Sequence, residues 1–153
     1  MDSQAMLRRM MSLCARSEHC ESQVRQKLRV AGVDADEADD IVAQLRHDGY
    51  IDDDRYARAF ASDRLRFAHW GRVKIACALR AAALPERSIC MALDALDDDE
   101  YRRVLRQTVE AKARTLGDMD ERARWHRIMA FAAQRGFTPD EVSGCALHQC
   151  AGR

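Results

Sequence analysis

Three kinds of residue in this sequence could do chemistry: runs of carboxylates, thiols beside imidazoles, and cations threaded with aromatics. Asp52-Asp53-Asp54 and Asp97-Asp98-Asp99-Glu100 are the densest acidic runs and invite a metal reading. Both stand where a helix should begin. Acids there complement the helix dipole, and consecutive helical carboxylates point in different directions, so both runs read as solvated caps. Cys20 beside His19, and Cys150 near His148, offer thiol–imidazole pairs, but neither has a third group in view to orient the base. The six cysteines form no C-x-x-C spacing and the five histidines no finger pattern, so neither a zinc site nor any other cofactor is expected. Walker A, G-x-G-x-x-G, G-x-S-x-G and H-E-x-x-H patterns do not occur. The residues give no reason to expect an enzyme.

Binding chemistry fits better. Arg64-Leu65-Arg66-Phe67-Ala68-His69-Trp70-Gly71-Arg72-Val73-Lys74 interleaves four cations with two aromatics across a junction between helices. Such a segment suits a phosphate backbone or an acidic partner groove, with amides at the start of the helix after Gly71 as further donors. Arg64, Arg66, Arg72 and Lys74 are its candidate contact residues. Arg122, Arg124, Arg127 and Arg135 form a second candidate face. The chain's 25 basic and 25 acidic residues cancel, which argues against coating nucleic acid by charge alone. The last third is nevertheless basic, with ten cations against six acids over 101–153. Arginine supplies 22 of the cations, and its planar fork suits carboxylate or phosphate.

These residues must be positioned by helices. Apolar residues make up 47% of the chain and charged residues 33%, with only two prolines and no alternating β-branched run, which predicts an all-α fold. Capping boxes are expected at Asp34–Glu37, Asp97–Glu100, Asp118–Glu121 and Thr138–Glu141, with a weakened one at Cys20–Gln23. Gly32, Gly49, Gly117 and Gly136 stand where helices should stop. About nine helices result. The pattern also repeats. A shift of 51 lays Val24, Leu28, Gly32, Val33 and Ala38 over Ile75, Leu79, Ala83, Leu84 and Ile89, and a shift of 104 lays Gly32 and Val33 over Gly136 and Phe137. With leading helices near Ala5–Arg16, Arg55–Phe67 and Tyr101–Leu116, this predicts three tandem three-helix repeats, at 1–50, 51–97 and 98–153. Units this small bury little alone, so they should stack into an elongated, curved array. No export signal precedes the first helix and no apolar run could span a bilayer, so a cytoplasmic protein with reduced, mostly buried cysteines is expected.

At Gly49-Tyr50-Ile51-Asp52-Asp53-Asp54-Arg55-Tyr56-Ala57-Arg58-Ala59-Phe60 the sequence resembles the signature of the RecX family, a Gly-Tyr-hydrophobic-Asp-Asp run followed by Arg-Tyr-Ala and a phenylalanine. Val24-Arg25-Gln26-Lys27-Leu28 with Gly32-Val33, Gly71-Arg72-Val73-Lys74-Ile75, and Arg135-Gly136-Phe137-Thr138 are similar to elements of its three copies. The resemblance covers about residues 7–147. Departures are Gln23, Val24 and Ala83, the last replacing the second copy's glycine, so that turn is expected to be built differently. The residues Gly49, Tyr50, Asp52, Asp53, Arg55, Tyr56 and Phe60 read first as a structural joint: a stop, a cap, and two aromatics facing inward at i and i+4. The resemblance implies a monomeric, non-catalytic protein that lodges in the groove of filaments of RecA recombinase on single-stranded DNA and restrains their activity, with weak contact to single-stranded DNA as a further expectation. The rivals are a helix-turn-helix transcriptional regulator and a generic helical scaffold. Against the first, the second helix of the opening pair carries Asp36, Glu37, Asp39 and Asp40, a poor match to major-groove phosphates.

Overall fold

The computed structural model of the chain describes residues 2–151, with side chains placed as far as Cys145. The described residues form nine helices and no strand: α1 (Ser3–Arg16), α2 (Glu21–Val30), α3 (Ala35–His47), α4 (Asp53–Ala68), α5 (Arg72–Ala81), α6 (Glu86–Asp94), α7 (Asp98–Arg114), α8 (Glu121–Gln134) and α9 (Pro139–Ala151). They follow one another as triplets, so the fold is all-helical with tandem three-helix domains.

Side-chain caps set most of the starts. Asp34 accepts from Glu37 N at 2.9 Å ahead of α3, Asp52 from Arg55 N at 3.0 Å ahead of α4, and Asp97 from Glu100 N at 3.3 Å ahead of α7. At α9 the box is reciprocal, with Glu141 N donating to Thr138 Oγ1 at 3.1 Å and Thr138 N to Glu141 Oε1 at 2.8 Å. Cys20 N donates to Gln23 Oε1 at 3.1 Å, so the weakened box at α2 keeps that arm. The box expected at Asp118–Glu121 does not form. Asp120 occupies the cap of α8 without a side-chain bond, because the preceding residues bend into a turn in which Met119 N donates to Gly117 O at 3.1 Å.

The turn between the second and third helices of each triplet recurs with one geometry. Gly32, Ala83 and Gly136 have φ of +82°, +62° and +93°. The next residue donates to the carbonyl five positions back: Val33 N to Leu28 O at 3.0 Å, Leu84 N to Leu79 O at 3.1 Å, Phe137 N to Ala132 O at 3.0 Å. The expectation that Ala83 changes its turn is therefore corrected. The turn is built alike, and alanine simply carries the left-handed conformation at about 1–2 kcal/mol. Ala83 is exposed, so its methyl adds no clash.

Packing divides the described helices into two compact groups, residues up to 58 with 79–91, and 59–78 with residues from 92 onward. In the first group Met6, Met10, Val24, Leu28 and Ile51 surround the apolar stripe of α3, where Ala38, Ile41, Val42 and Leu45 keep i, i+3, i+4, i+7 spacing. The second group buries Leu65, Ile75, Leu105, Ile128 and Phe137. Cysteines depart from expectation in part. Cys20 is buried and Cys14 and Cys145 half-buried, but Cys77 and Cys90 are exposed on outward faces of α5 and α6. Cys150 lies outside the described side chains. Burial pushes the Cys14 thiol above its ordinary value, helped by Glu18.

One close approach in the second group leaves no room for side chains. A Cβ on Gly71 would overlap Gly136 O, and one on Gly136 would overlap the Lys74 Cβ. Opposite outcomes are expected at two small residues. Ala83→Gly should raise stability by about 0.5–1 kcal/mol, the relief of a left-handed Cβ less the added freedom of the unfolded chain. Gly71→Ala should lower it by about 1–3 kcal/mol through overpacking. Urea denaturation followed by circular dichroism reads both, and a destabilised Ala83→Gly would contradict the strain argument.

Candidate functional site

The geometry of the Arg64–Lys74 segment begins with how α4 ends. His69 takes a left-handed φ of +58° and Trp70 N donates to Arg64 O, six residues back, at 3.0 Å. This closure folds the indole back over the last turns of α4. Trp70 meets Phe60 edge to face, with centroids 6.4 Å apart and planes at 69°. The Arg64 guanidinium lies 4.9 Å from the Phe60 ring and 5.0 Å from the Trp70 ring, and Lys74 Nζ lies 4.6 Å from the Trp70 ring. Phe67, further along α4, is 74% exposed. Neither Arg64 nor Lys74 meets a carboxylate among the described residues. Cation–aromatic contacts at such sites contribute about 0.5–1 kcal/mol and fix the heads without neutralising them.

The segment's other two cations are committed internally. Arg66 Nε pairs with Glu100 Oε1 at 3.0 Å. Arg72 stacks 3.9 Å from the Tyr101 ring centroid, and its guanidinium reaches Asp98 at 3.3 Å and Glu141 at 3.8 Å. The amides expected to serve a ligand at the start of α5 are occupied too. Gly71 N donates to Arg135 O at 2.6 Å, Val73 N to Gly136 O at 3.1 Å, and Arg72 N to the Tyr101 hydroxyl at 3.0 Å. Burial pushes the Tyr101 phenol well above its ordinary value, so it stays a neutral hydroxyl. An anion cannot use these donors.

In the second candidate face, Arg124 donates to Gly117 O at 3.3 Å and Arg135 to Ala68 O at 3.2 Å. Arg122 and Arg127 are exposed. Arg135 also lies 5.1 Å from the Phe131 ring, and Lys112 Nζ 5.0 Å from the same ring. Lys112, Phe131 and Tyr101 were not singled out from sequence. Lys112 and Phe131 are far apart in sequence and on different helices, so no linear spacing announces their contact.

The signature forms a joint. Gly49 N donates to Arg46 O at 3.1 Å behind α3, Asp52 caps α4, and Asp53 pairs with Arg46 at 3.2 Å. Arg55 pairs with Glu18 at 2.6 Å and donates to Gly49 O at 3.0 Å. Asp54, the last of the acidic run, accepts from Ser88 Oγ at 2.7 Å. Tyr56 is buried, Tyr50 packs half-buried against the first group's core, and Phe60 stands in the cation–aromatic ladder. Cys20 and His19 do not meet as a dyad: Cys20 Sγ contacts Ser22 Oγ at 3.2 Å, and His19 Nδ1 the Ser17 carbonyl at 2.9 Å. The Cys150–His148 pair lies outside the described side chains. Among the described residues no three His, Cys, Asp or Glu side chains converge as a metal site, and no helix is long and apolar enough to cross a membrane.

Comparison with known proteins gives consistent matches. Models of the first and second three-helix domains of RecX match residues 7–45 and 52–93, together just over half of the chain. Regulatory protein RecX of Stenotrophomonas maltophilia (strain K279a) is 26% identical over 139 residues, 91% of this chain and 83% of that one. Regulatory protein RecX of Amycolatopsis mediterranei (strain U-32) is 22% identical over 117 residues, 76% and 67% of the two chains. That of Geobacillus kaustophilus (strain HTA426) is 28% identical over 132 residues, 86% of this chain and 48% of that one. The chain thus spans about half the length of some curated relatives it matches. The crystal structure of RecX from Lactobacillus salivarius superposes with a TM-score of 0.86 at 16% identity, covering 95% of each chain. A second crystal structure, of regulatory protein RecX, gives 0.85 at 20% identity over 92% of this chain and 70% of that one. These superpositions show the fold.

The contrast between buried-in and spare cations is testable by stability alone. Arg72→Met is expected to lower stability by about 1–3 kcal/mol, since it removes the stacking on Tyr101, the pair with Asp98 and the donor that Arg72 Nε gives the Leu93 carbonyl at 3.5 Å. Arg64→Met should lower it by only about 0.5–1 kcal/mol, the size of its contacts with Phe60 and Trp70. Equal losses in paired denaturant titrations would mean that Arg64 is structural as well.

Proposed function

The chain belongs to the RecX family, and on that premise we propose that it is a non-catalytic, cytoplasmic regulator that binds filaments of RecA recombinase on single-stranded DNA in their groove. Bound there, it restrains recombinase, ATPase and co-protease activity. The observation that carries the reading is the Arg64–Trp70–Lys74 surface, where two cations are held in place by aromatics and by no carboxylate. A filament offers the same acidic or phosphate-bearing surface at every subunit. Modest polar contacts repeated along it sum through effective concentration rather than through any single tight bond. The triplets at 1–50, 51–97 and 98–153 serve as successive contact modules on this reading, with Arg122 and Arg127 as a second contact and single-stranded DNA touched only weakly. The signature residues hold the module together and leave binding to the cations. A base-reading regulator has less support, because exposed Asp36, Glu37, Asp39 and Asp40 line α3 and would repel phosphate.

Adding the purified chain to preformed RecA filaments and following ATP turnover tests this directly. Wild type should depress turnover. Arg64→Glu with Lys74→Glu should lose about tenfold or more in potency while remaining fully helical by circular dichroism. Inhibition by the double variant at wild-type potency would remove this surface from the site, and no inhibition by wild type would end the filament reading.

A further inference from the structure

Two clefts lie at matching places in the first and third triplets. The first, about 520 Å³, runs between α1 and α2 over Met6, Met10 and Leu13, with Arg9, Arg16 and Lys27 around it. The other, about 680 Å³, runs between α7 and α8 over Thr108, Ala111 and Phe131, with Lys112, Arg114 and Arg135 around it. Aligning the capping residues Asp2 and Asp97 lays Leu13 on Thr108 and Arg16 on Ala111. Aligning the turn residues Gly32 and Gly136 lays Lys27 on Phe131 and Ala31 on Arg135. All of these line their respective clefts. The equivalence comes from the repeat itself.

The cations of the two clefts differ from the arginines that are neutralised where they lie. Arg25, Arg46, Arg55, Arg66, Arg72 and Arg80 each pair with a carboxylate. Neither cleft has a carboxylate in its lining, and each has three lysines or arginines. Such an apolar floor under unneutralised cations is complementary to an acidic segment with an apolar face. In the first cleft the shape of that segment is constrained further. Arg9 and Arg16 are seven residues apart on one helix, about 10 Å along its axis, which matches carboxylates at i and i+7 on a helix laid alongside. The thioethers of Met6 and Met10 adapt to varied apolar anchors, and Val30 adds a lip that is 78% exposed. No aromatic lines this cleft, so it offers unstacked bases no platform.

We propose that both clefts are docking grooves for an acidic amphipathic helix of a partner protein, one helix to each groove. The proposal deepens the filament reading and rests on it for its biological sense. A polymer presents the same helix on every subunit, and one chain with two like grooves engages two of them with linked affinity.

The test needs no recombinase. The full chain is titrated calorimetrically with a synthetic amphipathic peptide of about 18 residues, leucines on one face and glutamates flanking them. Two equivalents should bind. Arg9→Glu with Lys27→Glu should weaken one of them about tenfold or more, Lys112→Glu with Arg114→Glu the other, and the quadruple variant should bind neither, with circular dichroism unchanged. Binding of one equivalent, binding that survives the quadruple variant, or equal binding of a peptide with lysines in place of glutamates would overturn the proposal. So would displacement of the peptide by oligothymidylate at comparable affinity, which would make the clefts nucleic-acid sites. Loss of the peptide result with filament inhibition intact would sink the grooves alone, and two bound equivalents without filament inhibition would sink the filament reading alone.

Discussion

The first turn of a helix leaves its amides without intrahelical partners, and a buried amide left so costs about 1–3 kcal/mol. At α5 the partners come from a turn more than sixty residues away in sequence: Arg135 O accepts from Gly71 and Gly136 O from Val73. For those bonds to form, two backbones must touch, and the sites where a Cβ would intrude are glycines on both sides. The consequences spread along α5. Arg72 is turned onto Tyr101, Asp98 and Glu141, and its own amide is met by the Tyr101 hydroxyl. Lys74 has its Cβ against Gly136 and its ammonium over Trp70. The division of this segment's cations into committed and spare ones is thus fixed by a backbone contact.

That dependence explains what could and could not be read from the chain. Caps and stops are local, so Asp34, Asp97 and Thr138 announced α3, α7 and α9 through the residue three positions on. The same rule failed at Asp118, where a turn at Gly117–Met119 delays α8 until Glu121. Ala83 in place of a glycine suggests a different turn, yet it takes the same left-handed conformation as Gly32 and Gly136. The bond from Leu84 N to Leu79 O, with Leu84 buried behind it, outweighs a modest backbone penalty. Which cations would be spare was illegible. Arg72 and Lys74 are two residues apart on one helix, and their fates differ because Tyr101 and Gly136 approach from other triplet members distant in sequence.

The most specific motif in the chain also changes meaning once its partners are known. Asp53, Arg55 and Asp54 reach Arg46, Glu18 and Ser88, tying α4 to residues of α3, the α1–α2 loop and α6. The two ion pairs among these contribute only about 0–1 kcal/mol each. The value of all three contacts is geometric, since together they fix one helix against its neighbours.

Cation density is therefore a poor guide to where this protein meets a partner. An arginine paired with a carboxylate presents little net charge, and breaking the pair to bind something else forfeits what the pair supplied. A cation parked on an aromatic face keeps its full charge, because the ring's quadrupole fixes its position without cancelling it. Arg64 and Lys74 on Trp70, and Lys112 and Arg135 on Phe131, are held in this second way. An incoming carboxylate or phosphate at these sites gains charge-assisted bonds at little internal cost, and the aromatic has already removed much of the side-chain freedom that binding would otherwise have to quench.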